Sequence, residues 1–200
     1  MAIEFININE SKPYKEFVGF YKKASKLKQK YIEAVSISSY NSEINEVDCR
    51  FVNLKYINNN QWIFFTNYNS PKAHDFDSHN QITAIFFWDS LNVQIRIKAL
   101  IKKTSKIFSD NHFKERVHEK NALAISSNQS KEIKSYKDIV KNFDEICSKN
   151  KSLQHRPEYW GGYAFKPYYF EFWEGHDLRL NKRNAYKYKN KRWIHTILQP

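Results

Sequence analysis

Residues 157–183, PEYWGGYAFKPYYFEFWEGHDLRLNKR, constrain this chain more than any other stretch. They hold three of the four glycines and, counting Trp193 just beyond, three of the five tryptophans. Trp160, Gly161, Gly162 and Tyr163 read as a turn that opens a strand. Residues 163–173 then alternate as a strand of aromatic and aliphatic side chains. Glu174, Gly175, His176 and Asp177 read as a second turn, with residues 178–183 returning as the partner strand. On that reading Arg179 and Arg183, four apart, point to one side, because strand side chains alternate with a period of two. A cationic pair beside an edge tryptophan suits a flat, anionic aromatic ligand. A hydrophobic hairpin with two solvated arginines fits the pattern equally well.

The chain has 200 residues, enough for one domain (1–200) with its own core. Aromatic residues at 16% beside 27% charged residues indicate a folded chain. Cys49 and Cys147 stand alone, which gives neither a disulfide framework nor metal-ligand spacing. The first ten residues lack the basic start and long apolar run of a secretory signal, and no apolar run reaches membrane-spanning length. A cytoplasmic protein without a membrane partner is expected. The net charge of +12 leaves room for phosphate-bearing ligands, and basic clusters also give non-specific affinity for nucleic acid. Much of the charge is accounted for as lysine-rich surface, so a nucleic-acid partner is not expected.

Along the chain, Ser11 and Pro13 mark the start of an amphipathic helix over residues 12–30, with Phe17, Phe20, Tyr21 and Ala24 on its apolar face. Strands follow at 34–40 and 47–57, the second carrying Arg50 and Lys55. These two are five apart and face opposite sides of a regular strand, so a shared ligand requires a bulge or a ligand wrapped around the strand end. A third strand at 61–67 runs into a helix with Ser70 as N-cap and Pro71 in its first turn, an arrangement that offers backbone N–H groups to a phosphate. Strands at 81–88 and 91–103 complete a first set over 34–103.

A helical insertion spans 108–149. Asp110 and His112 begin a helix there, and Arg116 sits one turn beyond His112 on the same face. Residues 131–149 read as a second helix with Ile133, Tyr136, Ile139, Val140 and Phe143 on a buried stripe. A polar linker over 150–155 leads to the C-terminal strands (157–200), the last at 192–198. The class is mainly β with flanking helices, and strands joined by hairpins favour a closed antiparallel barrel.

Several segments carry a more specific signal when taken together. They are Cys-Arg-Phe-Val-Asn-Leu-Lys, Phe-Phe-Thr-Asn-x-x-Ser-Pro-Lys-Ala, Leu-Asn-Val-Gln-Ile-Arg-Ile-Lys-Ala and Ser-Asp-Asn-His-Phe-Lys-Glu-Arg. Ala-Ile-Ser-Ser-Asn-Gln-Ser follows, then Trp-Gly-Gly-Tyr, Glu-Phe-Trp-x-Gly and Arg-Leu-x-x-Arg, and a closing Leu-x-Pro. In this order, across residues 13–200, they resemble the pyridoxine/pyridoxamine 5′-phosphate oxidase family. The resemblance implies an FMN-binding split β-barrel acting as a homodimer, with FMN at the subunit interface. It implies FMN as cofactor, a small phosphorylated pyridine as substrate and oxygen as electron acceptor.

By their match to the family's motifs, Arg50, Lys55, Phe65, Thr66, Lys72, Gln94, Gln129, Ser130, Trp173 and Arg183 are the flavin contacts. Lys55, His112, Arg116, Lys120, Arg179 and Asn181 occupy the substrate positions, with Arg179 as the catalytic candidate that presses the ring against the flavin. The sequence also departs from the pattern. Pro71 stands where the family has a second phosphate-binding arginine, His112 for its tyrosine, Lys120 for its serine and Asn181 for its histidine. The N-terminal arm, which helps cover the substrate in the family, is shorter here. These departures keep two alternatives open: a related flavin oxidase with a shifted, phenazine-type substrate, and a non-catalytic protein binding flavin or nucleic acid.

Overall fold

Strand β8 (Trp160–Glu174) holds the sheet together because it is long enough to pair with three neighbours. The computed structural model describes residues 2–148 and 153–200. The expected helix end at Lys149 and the start of the linker, 150–152, lie outside them. The first part of β8 pairs with β5 (Gln61–Asn67), from Asn67↔Trp160 to Trp62↔Phe165. Its last part pairs on the same side with β9 (Lys182–Lys189), from Tyr169↔Lys187 to Glu174↔Lys182. Its other side pairs with β7 (Val93–Lys103), through a register shift between Lys98 and Ala99 opposite Tyr169 and Pro167. Proline lacks the N–H a central ladder needs, so Pro167 belongs where β8 exchanges one partner for another.

The remaining strands are β1 (Glu4–Ile8), β2 (Ala34–Asn41), β3 (Glu46–Asn53), β4 (Tyr56–Asn59), β6 (Gln81–Trp88) and β10 (Arg192–Ile197). The sheet order is β1-β4-β5-β8-β7-β6-β2-β3, with β9 and β10 branching from β8. Every pair is antiparallel except β1 with β4.

Helix α1 (Lys12–Lys26) lays its apolar face on the inside of this sheet. Pro13, Tyr14, Phe17, Phe20, Tyr21 and Ala24 are buried, at the spacing one helical stripe requires. Phe17 meets Trp62 at 4.4 Å and Phe86 at 5.4 Å between ring centroids, and Tyr14 meets Phe170 at 5.1 Å. Edge-to-face aromatic packing of this kind fills the core with large side chains and accounts for much of the chain's aromatic content. The helix ends at Lys26, short of residue 30, because Lys28 takes a left-handed φ of 56° that a helix does not tolerate.

The structure corrects several further expectations. The strand over 47–57 is two strands: β3 ends at Asn53 and β4 starts at Tyr56. Between them the backbone N–H of Leu54 bonds the Glu33 carbonyl, and that of Lys55 bonds the Ile63 carbonyl. Gly161 and Gly162 lie inside β8, not in a turn, and no glycine has positive φ. Glycine is required there by close approach: a Cβ on Gly162 would stand 2.6 Å from Oγ1 of Thr104.

The return strand begins at Lys182, so Arg179 lies in the preceding loop and does not share a strand face with Arg183. A left-handed φ of 63° at Arg179 closes that loop, with its N–H bonded to the His176 carbonyl. The insertion starts at α3 (Lys106–Glu115), capped by the Ser105 side chain on the N–H of Phe108, and continues as α4 (His118–Ser126) and α5 (Tyr136–Ser148). The apolar stripe of α5 is not buried. Among the described residues only α4 packs extensively against it, so Phe143 is half-buried while Tyr136, Ile139 and Val140, with Ile133 before the helix, are exposed. Helix α2 (Pro71–Ser78) follows β5 as expected, although Ser70 donates to the Asn67 carbonyl instead of capping with its side chain.

Candidate active site

The break between β3 and β4 turns Lys55 into a cleft of about 290 Å³. β1 fixes the break from outside, through the N–H of Glu4 on the Lys55 carbonyl and the pairing of Glu4 with Tyr56. β5 adds Phe65 and Thr66 to the cleft wall, α2 adds Lys72, and α3 with the turn after it adds His112 and Arg116. Lys120 of α4, Gln129 and Trp160 close it. An adjoining hollow of about 310 Å³ shares Arg116, Lys120, Gln129 and Trp160. Among the described residues, four cationic side chains line the cleft and no carboxylate does.

The electrostatics follow from that imbalance. Burial, then Arg116 and Lys55, push the His112 pKa from 6.5 down to about 4, so the ring is neutral. Burial lowers Arg116 to about 10. Burial lowers Lys55, with Glu33 opposing and Lys120 and Arg116 adding to the shift. Burial and then Arg50 lower Lys72, against Asp48 and Asp75. Burial thus disfavours the charged forms of Lys55, Lys72 and Arg116, and an anion in the cleft would favour them. Arg116 shows this most directly. Its Nη2 donates to the Lys120 carbonyl at 3.1 Å, while its buried Nη1 has no hydrogen-bond partner among the described residues.

Aromatic rings form the floor. Phe65 stacks on His112 at 3.7 Å and on Trp160 at 5.3 Å, and Arg116 lies 4.3 Å over the Trp160 ring. Oε1 of Gln129 accepts from the Thr66 hydroxyl at 3.3 Å and from the Asn67 N–H at 3.2 Å. The sequence reading missed Tyr56, whose hydroxyl sits 2.7 Å from Nδ1 of His112, and took Trp160 only as a turn residue. The signal for both was their place in the motifs, one residue after Lys55 and at the head of Trp-Gly-Gly.

The cleft thus gathers Lys55, Phe65, Thr66, Lys72, His112, Arg116, Lys120 and Gln129. Arg50 lies to one side, held by Ser39 at 2.5 Å, Asp48 at 2.5 Å and Asp75 at 3.2 Å. Ser130 is exposed in a left-handed turn. Gln94, Trp173 and Arg183 form a row across β7, β8 and β9 and do not line the cleft of their own chain. Arg183 clasps buried Glu171 through Nε at 3.0 Å and Nη2 at 2.7 Å, and Arg96 grips the same carboxylate from the other side. Burial pushes the Glu171 carboxyl up, but hydrogen bonds from Arg183, Arg96 and Tyr169 outweigh it and hold the group below its usual range. Arg179 and Asn181 lie in the loop before β9. Arg179 is exposed, and Asn181 accepts the N–H of His176 at 3.0 Å.

The donor set fits a phosphate-bearing group, with lysines, a hydroxyl and an unpartnered buried guanidinium nitrogen converging on one space. Among solved structures, the chain resembles PhzG from Burkholderia lata, a complex with tetrahydrophenazine-1-carboxylic acid. The TM-score is 0.89 at 22% identity, over 95% of this chain and 93% of that one. It also resembles an FMN-binding, pyridoxamine 5′-phosphate oxidase-related protein from Nostoc punctiforme, with TM-score 0.78 at 12% identity over 94% and 98%. These likenesses define the class by fold alone: a split β-barrel.

Sequence relatives narrow it. The pyridoxine/pyridoxamine 5′-phosphate oxidase of Leptospira biflexa is 34% identical over 168 residues, 84% of this chain and 79% of that protein. Pyridoxine/pyridoxamine 5′-phosphate oxidase 1 of Hydrogenovibrio crunogenus is 31% identical over 96% of this chain and 89% of that protein. Residues 160–200 match the model of the pyridoxine 5′-phosphate oxidase C-terminal dimerisation region. The chain belongs to the pyridoxine/pyridoxamine 5′-phosphate oxidase family, whose members are FMN-dependent oxidoreductases.

Proposed function

We propose that this protein is an FMN-dependent oxidase that converts pyridoxine or pyridoxamine 5′-phosphate to pyridoxal 5′-phosphate with oxygen as acceptor. The observation that carries this reading is the cleft of Lys55, His112, Arg116 and Lys120, cationic, without a carboxylate, and holding an unpartnered buried Nη1. FMN, when bound, would supply the acceptor for a hydride from the substrate's 4′-carbon, with oxygen taking the two electrons to give peroxide; for the amine substrate, water would then replace the nitrogen at that carbon and release ammonia.

The chain's own residues bind and orient. Lys55, Arg116 and Lys120 hold the substrate phosphate by charge, and His112 adds a hydrogen bond. Lys72 and Thr66, with Arg50 beside them, take the phosphate of the flavin, and Gln129 orients Thr66 through their hydrogen bond. Gln94, Trp173 and Arg183 serve the flavin ring, Ser130 its phosphate end, and Arg179 with Asn181 the substrate ring. In one chain this second group does not line the cleft, and four of its members, Trp173, Arg179, Asn181 and Arg183, fall in the matched dimerisation region. A homodimer with a flavin site at each side of the interface unites the two groups.

A shifted substrate is the second reading. It is favoured by His112 in the cleft and by Asn181, whose carbonyl is already bound within its own loop. Comparing kcat/KM for pyridoxamine 5′-phosphate and unphosphorylated pyridoxamine decides between them. A preference of 100-fold or more for the phosphorylated substrate, about 2.7 kcal/mol, supports the phosphate role of the cleft. Equal rates overturn it.

A further inference from the structure

The His112 ring is held on three sides. Phe65 stacks on it with 11° between the planes, Tyr56 meets it edge-on at 5.3 Å, and the Tyr56 hydroxyl lies 2.7 Å from Nδ1. Lys55 and Arg116 face the ring, Lys120 lies in the same cleft, and Glu4 and Glu115 lie near the Tyr56 hydroxyl. In these surroundings the imidazole is neutral and carries one N–H. Which nitrogen keeps it is set by the partner of the other. Nδ1 of His112 is the hydrogen-bond partner of the Tyr56 hydroxyl among the described residues. A phenol held in its protonated form by burial, then by Glu4 and Glu115, has one proton to give, and Nδ1 is there to take the bond. His112 lines the cleft, and with Nδ1 taken by Tyr56 the ring nitrogen left for a ligand there is Nε2.

We propose that Tyr56 is a positioning residue: its hydroxyl donates to Nδ1, fixes His112 as the Nε2–H tautomer and makes it a neutral donor to a phosphate oxygen. The proposal rests on the phosphate role assigned to the cleft above. It explains how a histidine can serve beside three cations. A neutral donor adds a directed hydrogen bond without a further positive charge, which burial and Lys55, Arg116 and Lys120 would all oppose. Tyr56 thus works through His112 and does not itself line the cleft.

Two-bond proton–nitrogen NMR correlations distinguish the histidine tautomers in FMN-loaded protein labelled with 15N-histidine, with His112 assigned by the signals lost in His112→Gln. The expected result at neutral pH is a single Nε2–H tautomer, whose Nε2 and proton shift when pyridoxal 5′-phosphate, the product, is added. Tyr56→Phe keeps the ring contacts and removes only the hydroxyl. It should give a mixture of tautomers and weaken pyridoxal 5′-phosphate about five- to tenfold, with binding of unphosphorylated pyridoxal unchanged. An Nδ1–H tautomer in the wild-type protein overturns the proposal, as does Tyr56→Phe with unaltered tautomer and affinity. If the wild-type protein binds pyridoxal 5′-phosphate and pyridoxal equally, the phosphate reading fails and the donor role falls with it, whatever the tautomer. Those two failures are separately visible in the spectra and in the binding curves.

Discussion

Arg116 lies 4.3 Å over the ring of Trp160, with Nη2 bound to the Lys120 carbonyl and Nη1 buried without a partner among the described residues. The ring contact fixes the plane of the guanidinium, and the unused nitrogen marks where an anion oxygen belongs. A buried, unpaired donor costs stability in the ligand-free protein and repays it on binding. Arg116→Met keeps the stem and deletes the fork. Steady-state kinetics should show KM for pyridoxamine 5′-phosphate raised by about 10- to 100-fold, the equivalent of about 1.5–3 kcal/mol. Flavin content should not change, and the melting temperature of the ligand-free protein should hold or rise. A lower melting temperature with unchanged KM would show Arg116 to be structural.

Arg179 is exposed in the loop before β9 and held by its backbone, not by its side chain. The proposed function sets this guanidinium against the substrate ring at the site of a second copy. Arg179→Ala should lower kcat with flavin still bound and KM little altered, read from turnover beside the visible spectrum. Unchanged turnover removes Arg179 from the reaction.

Pro71 occupies the first position of α2, where the resemblance places a second phosphate-binding arginine. Its ring suits the start of a helix but offers neither charge nor N–H to the flavin phosphate. Pro71→Arg should tighten FMN by about 1.5–3 kcal/mol, or roughly 10- to 100-fold, in fluorescence titrations of flavin-free protein. No gain would mean that Lys72 and Arg50 already saturate that phosphate.

His112 makes stability depend on pH in a definite direction. Its pKa falls from 6.5 to about 4 on folding. Between those values the unfolded chain binds a proton that the folded protein refuses, so acid favours unfolding there. Above the upper value both states are neutral and the effect vanishes. Chemical denaturation of the wild-type protein from pH 7 to pH 4 should show a loss of stability to which His112 contributes. His112→Gln should lose less over the same range. Equal slopes for the two proteins would contradict a buried, neutral ring.

The strong periodicities were readable from sequence, and the interruptions were not. Phe17, Phe20, Tyr21 and Ala24 announced the buried face of α1 because a helix stripe depends only on spacing. The break at Leu54 and Lys55 left no such trace, since it is made by hydrogen bonds to Glu33 and Ile63, distant in sequence. That break resolves the parity conflict between Arg50 and Lys55, because the chain is not one regular strand between them. Glycine in Trp-Gly-Gly suggested a turn, but the space beside Thr104 demands it within a strand. The motifs brought eight site residues to one cleft. They could not place Gln94, Trp173 and Arg183, whose row lies on another part of the same chain.

The most direct test of the central claim is anaerobic addition of pyridoxamine 5′-phosphate to purified, FMN-loaded protein while the flavin absorbance is followed. The account predicts bleaching of the visible band, with the colour restored on admitting air. A bound flavin that keeps its colour under substrate, in protein that binds pyridoxal 5′-phosphate, would contradict it.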